Sequence, residues 1–495
     1  MKIYALFIGK GRWGIGWPYI GYNEKELCRS IIRRLKEKFP HIEFTGGKVV
    51  SRYDPKELWE IKRGIKDADG VFLCIVGNYG TNPLIDKIGV ESIEIGKPTI
   101  LASYMYGGDW GFIRIYERVR GRKLHVLPVA SSDFNDVEKA IGIMERLHRM
   151  RGKKILIFTF DEAEVIRNEE DKRRILTDLL GADGEKISKE TREGLMKILS
   201  DDKFRVDVHG VDQAIQWRRN EDKYRENLRR IFGLEMVRYD PEEIYKYYEN
   251  VSPEEAEKVA DEWIRNADRV DASRQAIVNA ARLYLALKKL IEDAGCDAVG
   301  IECCPVLASG KMPAFPCMAF SKLNDEGITA ACEADMDSAV TLLLGRYIAG
   351  RPGMMGNYCL DVPHNRVTYL HCTSPTKLYG YDKPPLKHYI TKHGEAHFVG
   401  ASPVVKFPSG EDVTTVKVSV LHGKICIRYG KTLGLVEDEK ACRDKLLVET
   451  NAAKILEKHD QNVFGWHKVS FLGDLRQEFK AAARLLGLEV VEEDV

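Results

Sequence analysis

Residues 299–335 read VGIECCPVLASGKMPAFPCMAFSKLNDEGITAACEAD. Two short apolar runs end there in carboxylates: VGI leads into Glu302, ITAAC leads into Glu333, and Asp335 follows two residues later. A short apolar run of this kind is a buried strand of a parallel sheet. Its acid then emerges at the strand's carboxyl end, where open α/β sheets hold their ligands. A buried carboxylate is costly unless it is paired or bound to a metal, so two or three side by side ask for a cation. The competing reading makes them ordinary acids of βα loops, capping helix N-termini. Cys303, Cys304, Cys317 and Cys332 crowd the same stretch. They do not make a zinc motif, because no CxxC pair occurs, adjacent cysteines chelate poorly, and a buried thiol behaves as a small hydrophobe.

Working outward, the stretch is entered from a helical region, SPEEAEKVADEWIRNADRVDASRQAIVNAARLYLALKKLIEDAG, with Ser252, Pro253 and Glu254 as its start signal and Gly295 as its stop. Ala280, Leu283, Ala286, Leu287 and Leu290 recur at helical spacing and face a core. This one helix delivers the chain into CDAVGIE, which makes the Glu302 strand an interior strand of its sheet. RGKKILIFTF opens that sheet after a basic stretch, and FRVDVHG and LEMVRYD supply further strands, giving a domain over 153–349. Residues 1–152 alternate in the same way: IYALFI, VFLCIV, PTILAS and LHVLPV are strands, and NEKELCRSIIRRLKEKF and DPKELWEIKRGIKDA are helices. After MDSAVTLLLGRYIAG the composition shifts at RPGMMGNYC, and residues 350–495 become rich in β-branched residues and turns. NRVTYLHC, AHFVGASPVVKFP, DVTTVKVSVLHG and KICIRYG are strands, the last two joined at His422-Gly423, with two helical segments and the strand LEVVEE to close. The expectation is α/β: two Rossmann-like parallel-sheet domains followed by a mostly antiparallel, barrel-like domain.

At 495 residues, with 44% hydrophobic and 31% charged residues, the chain has an ordinary globular composition spread over two or three domains. Its 76 basic and 75 acidic residues leave a formal charge of +1, which gives no electrostatic case for nucleic acid or an anionic membrane. The first apolar run is too short for a signal peptide, and no stretch approaches a membrane span. Eleven scattered cysteines suit a reduced, cytoplasmic protein. GKGRWG after the first strand fits G-x-G-x-x-G, which raises an NAD(P) oxidoreductase as an alternative. Against it, Pro18 and further glycines prolong the loop instead of opening a helix, and EFTGGKVV offers no acid for a ribose hydroxyl.

Three segments give the chain a resemblance to the L-fucose and L-arabinose ketol-isomerases: GIECCP, the E-x-D of ACEADMDSA, and GWHKVSFLGDLRQEF. The resemblance implies a divalent ion, Mn2+ or another such as Mg2+ or Co2+, held by Glu302, by Glu333 or Asp335, and by His467. Glu302 and the acid at Glu333 or Asp335 would also move protons through an enediol, converting an aldose to a ketose. Asp361 and His371 resemble positions that orient the ligands. The first domain would contribute sugar contacts, by position Arg12, Trp13, Asn78 and Tyr79, often to a neighbouring subunit's site. The implied partners are a small neutral sugar, a pentose or 6-deoxyhexose, and further copies of the chain in a trimer or hexamer. A non-catalytic sugar-binding protein on the same scaffold is a third reading, although it has no need of paired acids and a histidine.

Overall fold

The structure is a computed structural model describing residues 1–10, 17–77, 83–159, 193, 217–218, 220–303, 314–393 and 400–495. Strands β1 (Lys2–Ile8), β2 (Glu43–Val50), β3 (Gly70–Ile75), β4 (Thr99–Ser103) and β5 (Val126–Ala130) form a wholly parallel sheet in the order β2-β1-β3-β4-β5. Helices α1 (Glu24–Lys38), α2 (Pro55–Lys66), α3 (Pro83–Ile93), α4 (Asp109–Val119) and α5 (Asn135–Met150) flank it. All six residues of β3 are buried, which is why this strand reads as an unbroken apolar run. Asn23 and Asp54 cap α1 and α2 by accepting backbone N–H groups of the first turn, each cap contributing about 1 kcal/mol. Among the described residues the first helix after β1 is α1, which begins at Glu24; most of the GKGRWG motif lies outside the described residues.

The second sheet is also parallel. Its strands β6 (Lys154–Phe158), β7 (Glu235–Tyr239), β8 (Ala298–Ile301) and β9 (Thr329–Cys332) lie in the order β7-β6-β8-β9, so the strand leading to Glu302 is interior, as expected. FRVDVHG lies outside the described residues. Helices α6 (Glu221–Asn227), α7 (Glu242–Glu249), α8 (Pro253–Asn266), α9 (Arg274–Asp293), α10 (Cys317–Asp325) and α11 (Met336–Ile348) complete this part. The single helix expected over 252–295 is therefore two helices. The break is tertiary in origin: Asp268 and Asp271 donate backbone N–H groups to His388 and Ile390, and Ile390 N donates to Arg269 O. Ser273 restarts the helix by accepting from Ala276 N at 3.2 Å.

The rest of the chain closes a barrel. Strands β10 (Met354–Asp361) and β11 (Arg366–His371) are followed by a separate pair, β12 (His388–Thr391) and β13 (Ser402–Val405), and then by β14 (Ser409–Ser419), β15 (Lys424–Leu435) and β16 (Asp444–Glu449). Helices α12 (Ala452–Lys458) and α13 (Gln461–Phe464), strand β17 (His467–Leu472), helix α14 (Arg476–Leu486) and strand β18 (Glu489–Glu492) end the chain. The order β14-β17-β10-β11-β16-β15 returns to β14 through antiparallel pairs only, which makes a closed barrel, and β18 adds alongside β15 in parallel. Closure removes the exposed edges that an open sheet of this length would carry.

Helix α11 joins the second sheet to the barrel. It packs so tightly on β17 that a Cβ at Gly345 would lie 2.0 Å from Phe471 Cζ. One contiguous buried cluster runs from Ile3 and Phe7 through Ile157 and Val299 to Val416 and Phe471. Among the described residues no helix is long and apolar enough to cross a membrane.

Candidate metal centre

The parallel register pairs Ile301 with Cys332, so Glu302 and Glu333 leave adjacent strands at the same level. Glu333 and Ala334 then both adopt left-handed backbone, with φ of 58° and 50°. Two consecutive non-glycine residues in this region cost free energy that surrounding contacts must offset. Here Ala334 N donates to Ile301 O at 2.9 Å, and the buried Trp217 indole donates to Ala334 O at 3.2 Å. The turn carries the Glu333 carboxylate toward the barrel.

Two barrel histidines meet it. His371, the last residue of β11, places Nε2 3.6 Å from Glu333 Oε1, and His467, the first of β17, places Nε2 3.3 Å from Glu333 Oε2. Donor atoms of Glu333, His371 and His467 all lie within 4.8 Å of one another. Cis ligands about 2.1 Å from a common ion sit roughly 3 Å apart, so small adjustments would let these three donors share one. Two imidazoles and a carboxylate suit a divalent ion of intermediate hardness.

Asp335 fixes the second histidine. Its Oδ2 lies 3.0 Å from His467 Nδ1 and accepts from Ser338 Oγ at 2.8 Å and from Lys417 Nζ at 2.6 Å, while Oδ1 accepts from Ser338 N. A carboxylate on Nδ1 orients the ring and, were an ion bound, would leave the Nε2 lone pair free to ligate it. Burial opposes the charge on Asp335, but the Lys417 ammonium and His467 overcome it and hold the carboxyl far below the ordinary range. For Glu333 burial again opposes ionisation, and the two histidines outweigh it, so its carboxyl too is held below the ordinary value. Glu302 is buried and forms an ion pair with Arg218. A cavity of about 30 Å³ beside Glu333 and His371 is lined in part by Cys303, Cys332, Cys372 and His393.

The chain is similar to two sulfoquinovose isomerases. With that of Clostridium sp. (strain MSTE9) it is 25% identical over 276 residues, covering 52% of this chain and 58% of the relative. With that of Alkalicoccus urumqiensis it is 26% identical over 151 residues, covering 29% of this chain and 33% of the relative. The chain thus spans less than two thirds of either relative's length. No family model matches it. Among solved structures, an ABC transporter solute-binding protein from Burkholderia multivorans covers 71% of this chain and 94% of its own at 11% identity, with a TM-score of 0.17. The XylFII molecule gives 10% identity and a TM-score of 0.15. Scores this low support no shared fold.

Of the residues singled out in the sequence, Glu333, Asp335, His371 and His467 gather at this centre, whereas Glu302, expected as a ligand, leaves the adjacent strand at the same level, pairs with Arg218 and is not among the grouped donors. Asp361 lies apart. It sits at the far end of β10, hydrogen-bonded to exposed His364 at 2.8 Å, four residues or roughly 13 Å of strand beyond Asn357, the residue that pairs with His467. Arg12, Trp13, Asn78 and Tyr79 lie outside the described residues. Lys417 and Arg218 escaped sequence reasoning. Lys417 had a signal, a single cation inside the β-branched run VTTVKVSV; Arg218 had none.

Proposed function

We propose that this chain is a metal-dependent aldose-ketose isomerase acting on a sugar through an enediol. The convergence of Glu333, His371 Nε2 and His467 Nε2 at the carboxyl ends of parallel strands, with Glu302 beside them, carries the reading. Similarity to sulfoquinovose isomerases supports it independently. In this proposal Glu333, His371 and His467 hold a divalent ion of the Mn2+, Mg2+ or Co2+ type, and Asp335, already engaged by Lys417 and Ser338, serves His467 rather than the ion. Bound there, the ion supplies Lewis-acid stabilisation of charge developing on the sugar oxygens. Glu302, oriented by Arg218, takes the proton from one carbon and returns one to its neighbour. Glu333 flanks the enediol from the opposite strand.

The substrate is a pentose or 6-deoxyhexose, and sulfoquinovose enters the same panel through the relatives. The proposal extends to a homo-oligomer, trimer or hexamer, in which loops of residues 1–152 complete the pocket that residues 153–349 and 350–495 form in a neighbour. Trp17, Tyr106 and Trp110 support this: they are 46%, 71% and 55% exposed at the carboxyl end of the first sheet, where the Trp17 indole donates to Tyr106 O at 2.6 Å. Apolar side chains massed in this way mark an interaction surface. Arg12 and Trp13, which follow β1 in the sequence, and Asn78 and Tyr79, which follow β3, are proposed as the sugar contacts. A reduced, cytoplasmic setting fits the thiols.

Incubating the chain with pentoses, 6-deoxyhexoses and sulfoquinovose, with Mn2+ and after chelation, tests the function. Ketose formation that needs the ion and no nicotinamide is the expected result. Turnover of none of these sugars would refute it.

A further inference from the structure

We infer that Cys303 and Cys332 form a redox-active dithiol that closes to a disulfide across the carboxyl ends of β8 and β9. Their sulfurs lie 3.0 Å apart, and the residues are 6% and 4% exposed. Simple core packing does not require sulfur to face sulfur at this distance. The register explains the encounter: Ile301 pairs with Cys332, after which Glu333 and Ala334 turn left-handed, so the thiol two residues past Ile301 meets the one at the end of the next strand. Both line the cavity of about 30 Å³, enough for a water-sized molecule. At about 10–15 Å³ per water the space also admits the two oxygens of hydrogen peroxide, a small oxidant.

The chemistry balances with peroxide as the two-electron acceptor. One thiol loses its proton and its sulfur attacks a peroxide oxygen; the O–O bond breaks, water leaves, and a sulfenic acid remains. The second sulfur, losing its proton in turn, attacks the first; the S–O bond breaks, the S–S bond forms, and a second water leaves. Two thiols are oxidised and one peroxide is reduced to two waters.

The position gives the bond a consequence. Cys303 directly follows Glu302 and Cys332 directly precedes Glu333. Drawing the strand ends together moves both carboxylates relative to His371 and His467, so oxidation switches off whatever the centre does; the loss of turnover, though not the disulfide, rests on the proposed function.

The test uses the full chain, treated with hydrogen peroxide, alkylated and digested with trypsin without reduction. Expected is a cross-link between residues 290–311 and residues 323–346, two hydrogens lighter than the sum of the reduced peptides and released by dithiothreitol. Cys296→Ser and Cys304→Ser should keep it, whereas Cys303→Ser and Cys332→Ser should lose it. Either sulfur recovered alkylated, over-oxidised or joined to another cysteine overturns the inference. Turnover should vanish on oxidation, return with dithiothreitol, and survive peroxide in Cys332→Ser; a cross-linked enzyme of undiminished rate would overturn the switch. The peptide map needs no substrate. A cross-link in a chain that turns over no sugar therefore counts against the isomerase reading alone, and ketose formation without a cross-link counts against the dithiol alone.

Discussion

At Glu333 the left-handed backbone aims one carboxylate at two imidazoles, while at Glu302, one strand away, a guanidinium takes the carboxylate. The two acids therefore answer differently to the same isosteric change. Glu333→Gln should abolish the response of the melting temperature to Mn2+, because an anionic ligand is gone. Glu302→Gln should keep that response and lose at least roughly 10²-fold in turnover, the scale of a missing general base. Equal behaviour of the two variants in thermal shift and rate would contradict the division of labour. Lys417 makes a second prediction. It is fully buried against Asp335, so Lys417→Met leaves a buried carboxylate without its cation and should cost about 3–5 kcal/mol in chemical denaturation. A cost under about 1 kcal/mol would mean that His467 and Ser338 suffice to hold Asp335.

Among the elements, the end of β18 is fastened through the next residue, Glu493, which pairs with buried Arg428 of β15 and with His459 just beyond α12. Burial opposes the charge on Glu493, but His459 at 3.1 Å and Arg428 at 2.6 Å hold its carboxyl down to about 2. Since the folded value lies below the ordinary value near ~4.3, this stability is fully present above that pH and fades as pH falls toward 2. The loss amounts to about 3 kcal/mol. Urea denaturation between pH 5 and 2 should show the wild type losing more stability than Glu493→Gln; parallel profiles would contradict the pairing. The same scale shows what a sequence can and cannot tell. β3 and β8 were legible because strands buried on both faces must be apolar throughout. β2 was not, because its EFTGGKVV is half exposed and bends at Gly46 and Gly47, with φ of 75° and 85°. The break between α8 and α9 was hidden for another reason: its partners, His388 and Ile390, lie about a hundred residues downstream.

For the whole molecule, the acids of the second sheet were legible as carboxylates closing apolar runs, and the barrel was legible from uninterrupted β-branched segments. His371 was foreseen near the centre but not as a donor facing Glu333, since only barrel closure brings the end of β11 beside the start of β17. If the first sheet's loops complete a neighbour's pocket, mixing inactive Glu302→Gln chains with inactive Arg12→Ala chains should regenerate activity. A verified hetero-oligomer without activity would contradict the shared pocket. Calorimetric titration of chelator-treated protein with Mn2+, for the wild type and for His371→Ala, tests the centre itself most directly. Expected are one ion per wild-type chain, affinity weakened by more than about tenfold in the variant, and about 2.7 kcal/mol of added stability at a hundredfold excess over Kd. A wild type that binds no ion, or a site indifferent to the loss of His371, would contradict it.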